Sequence, residues 1–191
     1  QDGGLLAASP PAAAPQPSAY TYDPENPVPT VGGRYGGPGT PPCVQNQAPL
    51  DGRPDVLRFT TEPLDQPLEV TGKIRARLWV ASDAVSTDFT AKLVDVYPDG
   101  YALIVTDGVV RLRFDNPGRP RQVDLDLGST STLFAAGHRI RMDLSSSNYP
   151  RIEPNPNTGE PPGRWTRRVK ARNTLYHDRR RPSYVELPVV K

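Results

Sequence analysis

A chain of 191 residues with 36% apolar content, 24 prolines and 16 glycines fits one large domain, or one domain with long tails. Its net charge of +2 argues against a dedicated nucleic-acid binder, which carries a clear basic excess. The single cysteine, Cys43, excludes an intrachain disulfide and Cys-rich zinc sites, and no apolar run reaches membrane-spanning length.

Gln1 is not an initiator methionine, and residues 1–6 do not make a signal peptide. The chain is therefore expected to be a piece of a longer protein, and its compartment stays open. Residues 7–19 are rich in Ala and Pro; the prolines favour an extended backbone and forbid a packed helix. Residues 1–19 are expected to be a linker, and residues 20–191 the folded domain. Residues 20–33 carry several prolines and end in Gly32-Gly33, which predicts an extended path across a surface rather than a strand within a sheet. Residues 34–54, rich in Gly and Pro, predict a long irregular loop.

Strands follow. Residues 56–61 form one. Ile74, Ala76, Leu78 and Val80 alternate with Lys73, Arg75, Arg77 and Trp79, the period of a half-buried strand. Residues 87–114 read as a three-stranded meander with turns at Pro98-Asp99-Gly100 and Asp107-Gly108. Val123, Leu125 and Leu127 alternate with Gln122, Asp124 and Asp126. Ile140, Met142 and Leu144 alternate with Arg139, Arg141 and Asp143. Residues 169–176 and 184–190 complete the set, and residues 132–136 form a short turn at most. About eight strands with Asp-Gly and Pro-Gly turns predict an all-β sandwich of jelly-roll type.

The chemistry-bearing residues point away from catalysis. No Gly-x-Ser-x-Gly pentad exists to expose a serine nucleophile beside backbone oxyanion donors. His138, after Gly137, suits a cap or turn hydrogen bond. His177 and Asp178 are adjacent on a strand and point to opposite faces, so they cannot readily pair; His177 reads as a structural or interface histidine. Asp95, Asp99 and Asp107 lack the spacing of a calcium loop, and turn chemistry explains Asp99 and Asp107. Asp88 and Asp95 are expected to face solvent or bond across the sheets. Arg164, Arg167, Arg168, Lys170, Arg172, Arg179, Arg180 and Arg181 make the last third basic; a solvated face balanced by acidic neighbours explains them better than phosphate binding. No cofactor and no metal are expected.

The landmarks Asp23-Pro24-Glu25-Asn26-Pro27-Val28-Pro29, Arg53-Pro54-Asp55-Val56-Leu57, the meander, Ser145-Ser146-Ser147-Asn148-Tyr149-Pro150-Arg151, Asn155-Pro156-Asn157-Thr158-Gly159 and Pro182-Ser183-Tyr184-Val185-Glu186-Leu187-Pro188 occur in that order. Together they resemble the C-terminal domain of the X-Pro dipeptidyl-peptidase family (peptidase family S15), which includes cocaine esterase-like and α-amino-acid ester hydrolase-like enzymes. The resemblance implies a noncatalytic jelly roll of galactose-binding-like fold. It implies a partner in the same protein, an α/β-hydrolase domain holding a Ser-Asp-His triad, none of whose positions falls here. It also implies that Gly33, Arg34 and Tyr35, after the Pro-Val-Pro motif, wall the acyl pocket of the parent enzyme. Asp2-Gly3-Gly4-Leu5-Leu6 resembles the strand that enters the linker. A homo-oligomer is left open; nucleic acid and membrane are not expected as partners. The alternative reading is a stand-alone carbohydrate-binding module of the same fold, using Trp79, Trp165 or Tyr149.

Overall fold

The computed structural model describes residues 2–9, 16–33, 43–161 and 163–190. Among these residues ten strands fold into two sheets: β1 (Asp2–Leu5), β2 (Ser18–Tyr22), β3 (Leu57–Thr60), β4 (Leu68–Ser82), β5 (Ser86–Val96), β6 (Ala102–Arg113), β7 (Arg121–Phe134), β8 (Arg139–Ser145), β9 (Ala171–Tyr176) and β10 (Tyr184–Glu186). Among the described residues the helical element is one 3-10 turn, Ala48–Leu50. The first sheet runs β1-β3-β8-β5-β6. In the second, β7 lies along one side of β4, β10 and β9 follow each other along the other side, and β2 flanks β9. All pairings are antiparallel except β1 with β3. The chain is thus an all-β sandwich, as its alternating pattern predicts.

The alternation sets the core. Ile74, Ala76, Leu78 and Val80 from β4 meet Phe89, Ala91 and Leu93 from β5, with Leu125 and Leu127 from β7 and Met142 and Leu144 from β8. One face of each strand is apolar, so only one register buries the full set.

Three expectations need correction. Residues 87–114 make two long strands, not three. The turn at Pro98-Asp99-Gly100 is present: Gly100 takes φ 89°, and Asp99 Oδ1 accepts from Tyr101 N at 2.9 Å. Asp107-Gly108, however, lies inside β6, paired with Lys92 and Ala91. Gly108 is required by crowding: a Cβ there would collide with the Asp126 carbonyl oxygen and reach Leu125 Cδ2 at 2.8 Å. The glycine lets β7 pass close over β6.

Second, residues 18–22 form an edge strand rather than a surface crossing, and Tyr20 and Tyr22 are core residues. Pro17 stands just before the strand and Pro24 beyond it, so no proline interrupts the ladder. Third, β7 continues through residues 132–134, paired with β4 as far as Leu68↔Phe134.

Replacing Gly108 by Ala should destabilise the sandwich by about 3 kcal/mol, because the colliding atom is backbone and cannot rotate away. Urea unfolding of the two proteins measures this; a loss under about 0.5 kcal/mol, within the range of ordinary surface substitutions, would mean the β6–β7 approach is not tight.

Candidate functional site

The interior strands β8 and β5 of the first sheet are buried on both faces. The sheet's inner face meets the second sheet. Its outer face lies beneath residues 28–33 and 43–56, where Val28, Leu50 and Val56 form a second, smaller apolar cluster with Val31. Ten of the eleven residues of β5 are consequently buried.

The covered face carries a row of alternating charge. Arg58 on β3 is level with Asp143 on β8, Asp143 with Lys92 on β5, and Lys92 with Asp107 on β6. Opposite charges thus stand at successive cross-strand positions. Arg141, one step along β8, bonds Asp143 at 2.8 Å and Asp51 at 3.2 Å; Asp51 also meets Arg58 at 3.3 Å. Asp107 accepts from Asn148 Nδ2 at 3.0 Å and pairs with Arg151. Burial pushes the Asp143 carboxyl above the usual carboxylate range, against the pull of Arg141 and Lys92. Burial pushes the Lys92 ammonium down to about 8, with Asp143 opposing and Arg141 and Arg151 assisting.

Above this row the covering segment forms a narrow neck. Gly33 N donates to Cys43 O at 2.8 Å and Cys43 N to Gly33 O at 3.2 Å. Gly32 (φ 62°) fits only as glycine, since a Cβ would stand 2.5 Å from Cys43 O and from Gln45 Cγ. Gly33 (φ 81°) lies over Ile104 and Asp107: a Cβ would be 3.4 Å from Ile104 Cδ1 and 3.6 Å from Asp107 Oδ1. Of the expected pocket wall, the structure places Gly33 on the buried charged row; Arg34 and Tyr35 lie outside the described residues. Cys43 holds φ 83°, and its thiol is exposed. The returning arm joins the edge of the sheet: Ile104 N donates to Gln45 O at 3.1 Å, and Gln47 N to Ala102 O at 2.7 Å.

The Ser-Ser-Ser-Asn motif ties this layer to both sheets. Ser145 bonds Thr90 at 2.7 Å. Ser146 bonds the Tyr20 hydroxyl and Asn173, each at 2.7 Å. Ser147 Oγ accepts from Val28 N at 2.8 Å. Asn148 reaches Asp107. All four are buried and committed to structural bonds, so no serine of the motif stands beside a histidine.

The remaining candidates are structural too. His138 Nδ1 bonds the buried Asp95 carboxylate at 2.9 Å, and the ring stacks on Tyr97. Asp95 therefore bonds along its own sheet, an alternative to the expected solvent or cross-sheet roles. His177 Nε2 bonds Ser18 Oγ at 3.0 Å, packs edge-on to Phe59, and has its pKa lowered by burial. Asp178 bonds Arg181 and the Arg180 backbone instead of His177. Asp88 is clasped by Arg111 and Asn155. In the basic third, Arg168 pairs with Glu25, Lys170 with Asp23, and Arg181 with Asp178. Among the described residues no group of three or more His, Cys, Asp or Glu side chains could hold a metal. A groove of about 300 Å³ beside β6 is lined by Arg111, Arg113 and Trp165. Trp165 has Arg168 stacked over it at 4.4 Å, Trp79 belongs to β4, and Tyr149 pairs with Pro29. The three aromatics thus belong to three separate elements.

Sequence reasoning missed Gln47, Lys92, Arg141 and Asp143. They occupy outward positions of alternating strands or a polar loop, where solvent is the ordinary neighbour. The available signal was the apolar content of the covering segment, Val28, Val31, Leu50 and Val56, which must lie on something.

Residues 1–186 match the family of X-Pro dipeptidyl-peptidase C-terminal non-catalytic domains. The chain is 43% identical over 186 residues to a cocaine esterase of Rhodococcus sp. (strain MB1 Bresler), covering 90% of this chain and 32% of that protein. Its structure resembles that of an α-amino acid ester hydrolase (TM-score 0.84, 32% identity, 98% of this chain and 35% of that one). It also resembles an aminopeptidase from a marine sediment archaeon, Thaumarchaeota archaeon (TM-score 0.85, 27% identity, 100% of this chain and 36% of that one). The chain spans about a third of the length of the relatives it matches.

The buried ammonium has a measurable signature. With a folded pKa of about 8 against an ordinary 10.5, the unfolded chain binds more protons between those values, so stability rises with pH across that window. The difference amounts to about 3 kcal/mol. Lys92→Met lacks this titration, so wild type should gain on the variant between pH 8 and 10.5 in urea unfolding. A gap that stays constant with pH would contradict a buried charged Lys92.

Proposed function

Because the chain belongs to the family of X-Pro dipeptidyl-peptidase C-terminal non-catalytic domains, we propose that it serves a larger serine hydrolase as a packing and cleft-shaping domain. The partner is an α/β-hydrolase domain of the same protein, which supplies the nucleophile and base. The parent cleaves an ester or amide through an acyl-enzyme. The connection to that domain enters through the N-terminal segment; because β1 docks along β3 and β2 begins at Ser18, the folded part starts earlier than residue 20, and the sandwich is of jelly-roll, galactose-binding-like type.

The neck at Gly33 and Cys43 carries this reading. Gly32 and Gly33 bring two arms of chain together and set them on a buried ionic row, an arrangement that holds a segment in one position at high cost in desolvation. Catalysis gains from walls that are fixed before substrate arrives, and rigid elements hold them better than free loops. We assign Gly33, Arg34 and Tyr35 to the side of the acyl pocket. Specificity then arises here by exclusion, and bond-breaking in the partner domain.

Two measurements test the proposal. A fluorophosphonate probe should label the full-length protein and leave the isolated chain unlabelled; labelling of this chain would place a nucleophile in it. In the full-length protein Tyr35→Ala should change the ratio of kcat/KM between p-nitrophenyl benzoate and p-nitrophenyl acetate by about tenfold, the scale of a lost pocket contact. An unchanged ratio would remove residues 33–35 from the pocket wall.

A further inference from the structure

We infer that Gln47 and Lys92 are positioning residues for acyl-group selection, a role that rests on the reading of the Gly33 neck as part of the pocket wall. Gln47 has no exposed surface. Its side-chain amide has two N–H donors and one principal acceptor, and all are used on different pieces of chain. Nε2 donates to Val31 O at 2.8 Å, on the arm entering the neck, and to Gln45 O at 3.2 Å, on the arm leaving it. Oε1 accepts from Lys92 Nζ at 2.9 Å, on the interior strand β5. One side chain therefore sets the spacing of the two arms and ties both to β5.

The surroundings leave this clamp little freedom. Its backbone N–H is bonded to Ala102 O on β6. Gly32 already lies in contact with Gln45, so the arms cannot move closer. Lys92 is itself held in the charged row between Asp143 and Asp107. A shift of Lys92 or of the Gln47 amide must pass to Val31 and Gln45, and from them to the Gly33–Cys43 pair. Simple closure of the segment does not require this, since Val28, Leu50 and Val56 already pack it onto the sheet. What the amide adds is a fixed register between the two arms, and a polar bond has the directionality to fix it where apolar contact does not.

Two substitutions take the clamp apart at different ends. Gln47→Glu keeps an acceptor for Lys92 but presents carboxylate oxygen to the carbonyls of Val31 and Gln45. Lys92→Met keeps the bonds to both arms but releases the amide from the sheet. In the full-length protein Gln47→Glu should change the benzoate-to-acetate ratio of kcat/KM by about tenfold, through KM for the benzoate with kcat nearly constant; displacements of about 1 Å at remote positions have effects of this order or larger. Lys92→Met should change the ratio in the same direction, and the double variant no further than Gln47→Glu alone, because both act through one element. Tyr35→Ala, measured alongside, separates the two ideas. A ratio that responds to Tyr35→Ala but to neither clamp variant overturns the clamp and leaves the wall. A ratio that responds to none of the three overturns both. Equal losses for both esters that follow the folded fraction would make Gln47 merely structural. Should Gln47→Glu fail to fold, Lys92→Met alone decides on the same ratio.

Discussion

The two-sided burial of β5 is the constraint on which the rest of the domain depends. An ordinary sandwich hides one face of each sheet and wets the other. Here the otherwise wetted face of β5 is roofed by residues 28–33 and 43–56, so the residues that alternate away from the core have no solvent to meet. Asp88, Thr90 and Lys92 must find partners inside the protein, and each does: Arg111 and Asn155, Ser145, and Gln47. The placement of the roof, the neck at Gly33 and the bonds of the serine motif all follow from the need to satisfy that face.

This also explains which parts were legible in the sequence. The strands were, because Ile74 to Val80 and Ile140 to Leu144 alternate cleanly and the inner core obeys that alternation. The Pro98-Asp99-Gly100 turn was, because positive φ at Gly100 is a local requirement. Asp107-Gly108 was misread because the same dipeptide can arise from two separate demands. Gly108 makes room for β7, and Asp107 answers Asn148 and Arg151 on a loop 41 residues away. Neither demand leaves a local trace. The roof was hidden for a similar reason: Lys92 and Asp143 look like solvated positions until a segment distant in sequence covers them. Gly33 was marked by its motif and does sit at the neck, whereas Gln47, which closes the neck, occurs in a stretch whose composition says only loop.

The serine motif shows how family markers and catalytic residues differ. Ser145, Ser146, Ser147 and Asn148 are all buried, polar and hydrogen-bonded, to Thr90, to Tyr20 and Asn173, to Val28 and to Asp107 respectively. Each ties a different piece of the fold. A substitution at any of them leaves a buried donor or acceptor unmatched, which costs more than the bond contributes. Such residues mark a family through architecture alone, and a run of three serines need not signal a nucleophile.

The choice of charge rather than hydrocarbon beneath the roof is the remaining physical question. Buried ion pairs contribute little net stability, because desolvation offsets most of their attraction, and an apolar layer of equal volume would hold the roof as firmly. Apolar contact, however, tolerates sliding. The row Arg58, Asp143, Lys92, Asp107 does not: sliding β8 to bring Arg141 level with Arg58 and Lys92 would set like charges side by side, and a shift of any other strand would take a buried charge out of line with its cross-strand partner. The row thus converts a small error in register into a large energetic penalty. The roof inherits that register through Lys92 with Gln47, Asp107 beneath Gly33 and Arg58 with Asp51. If the domain lends a wall to a neighbouring pocket, as proposed, an expensive foundation is intelligible, since the location of such a wall, more than the strength of its attachment, would decide which acyl group fits.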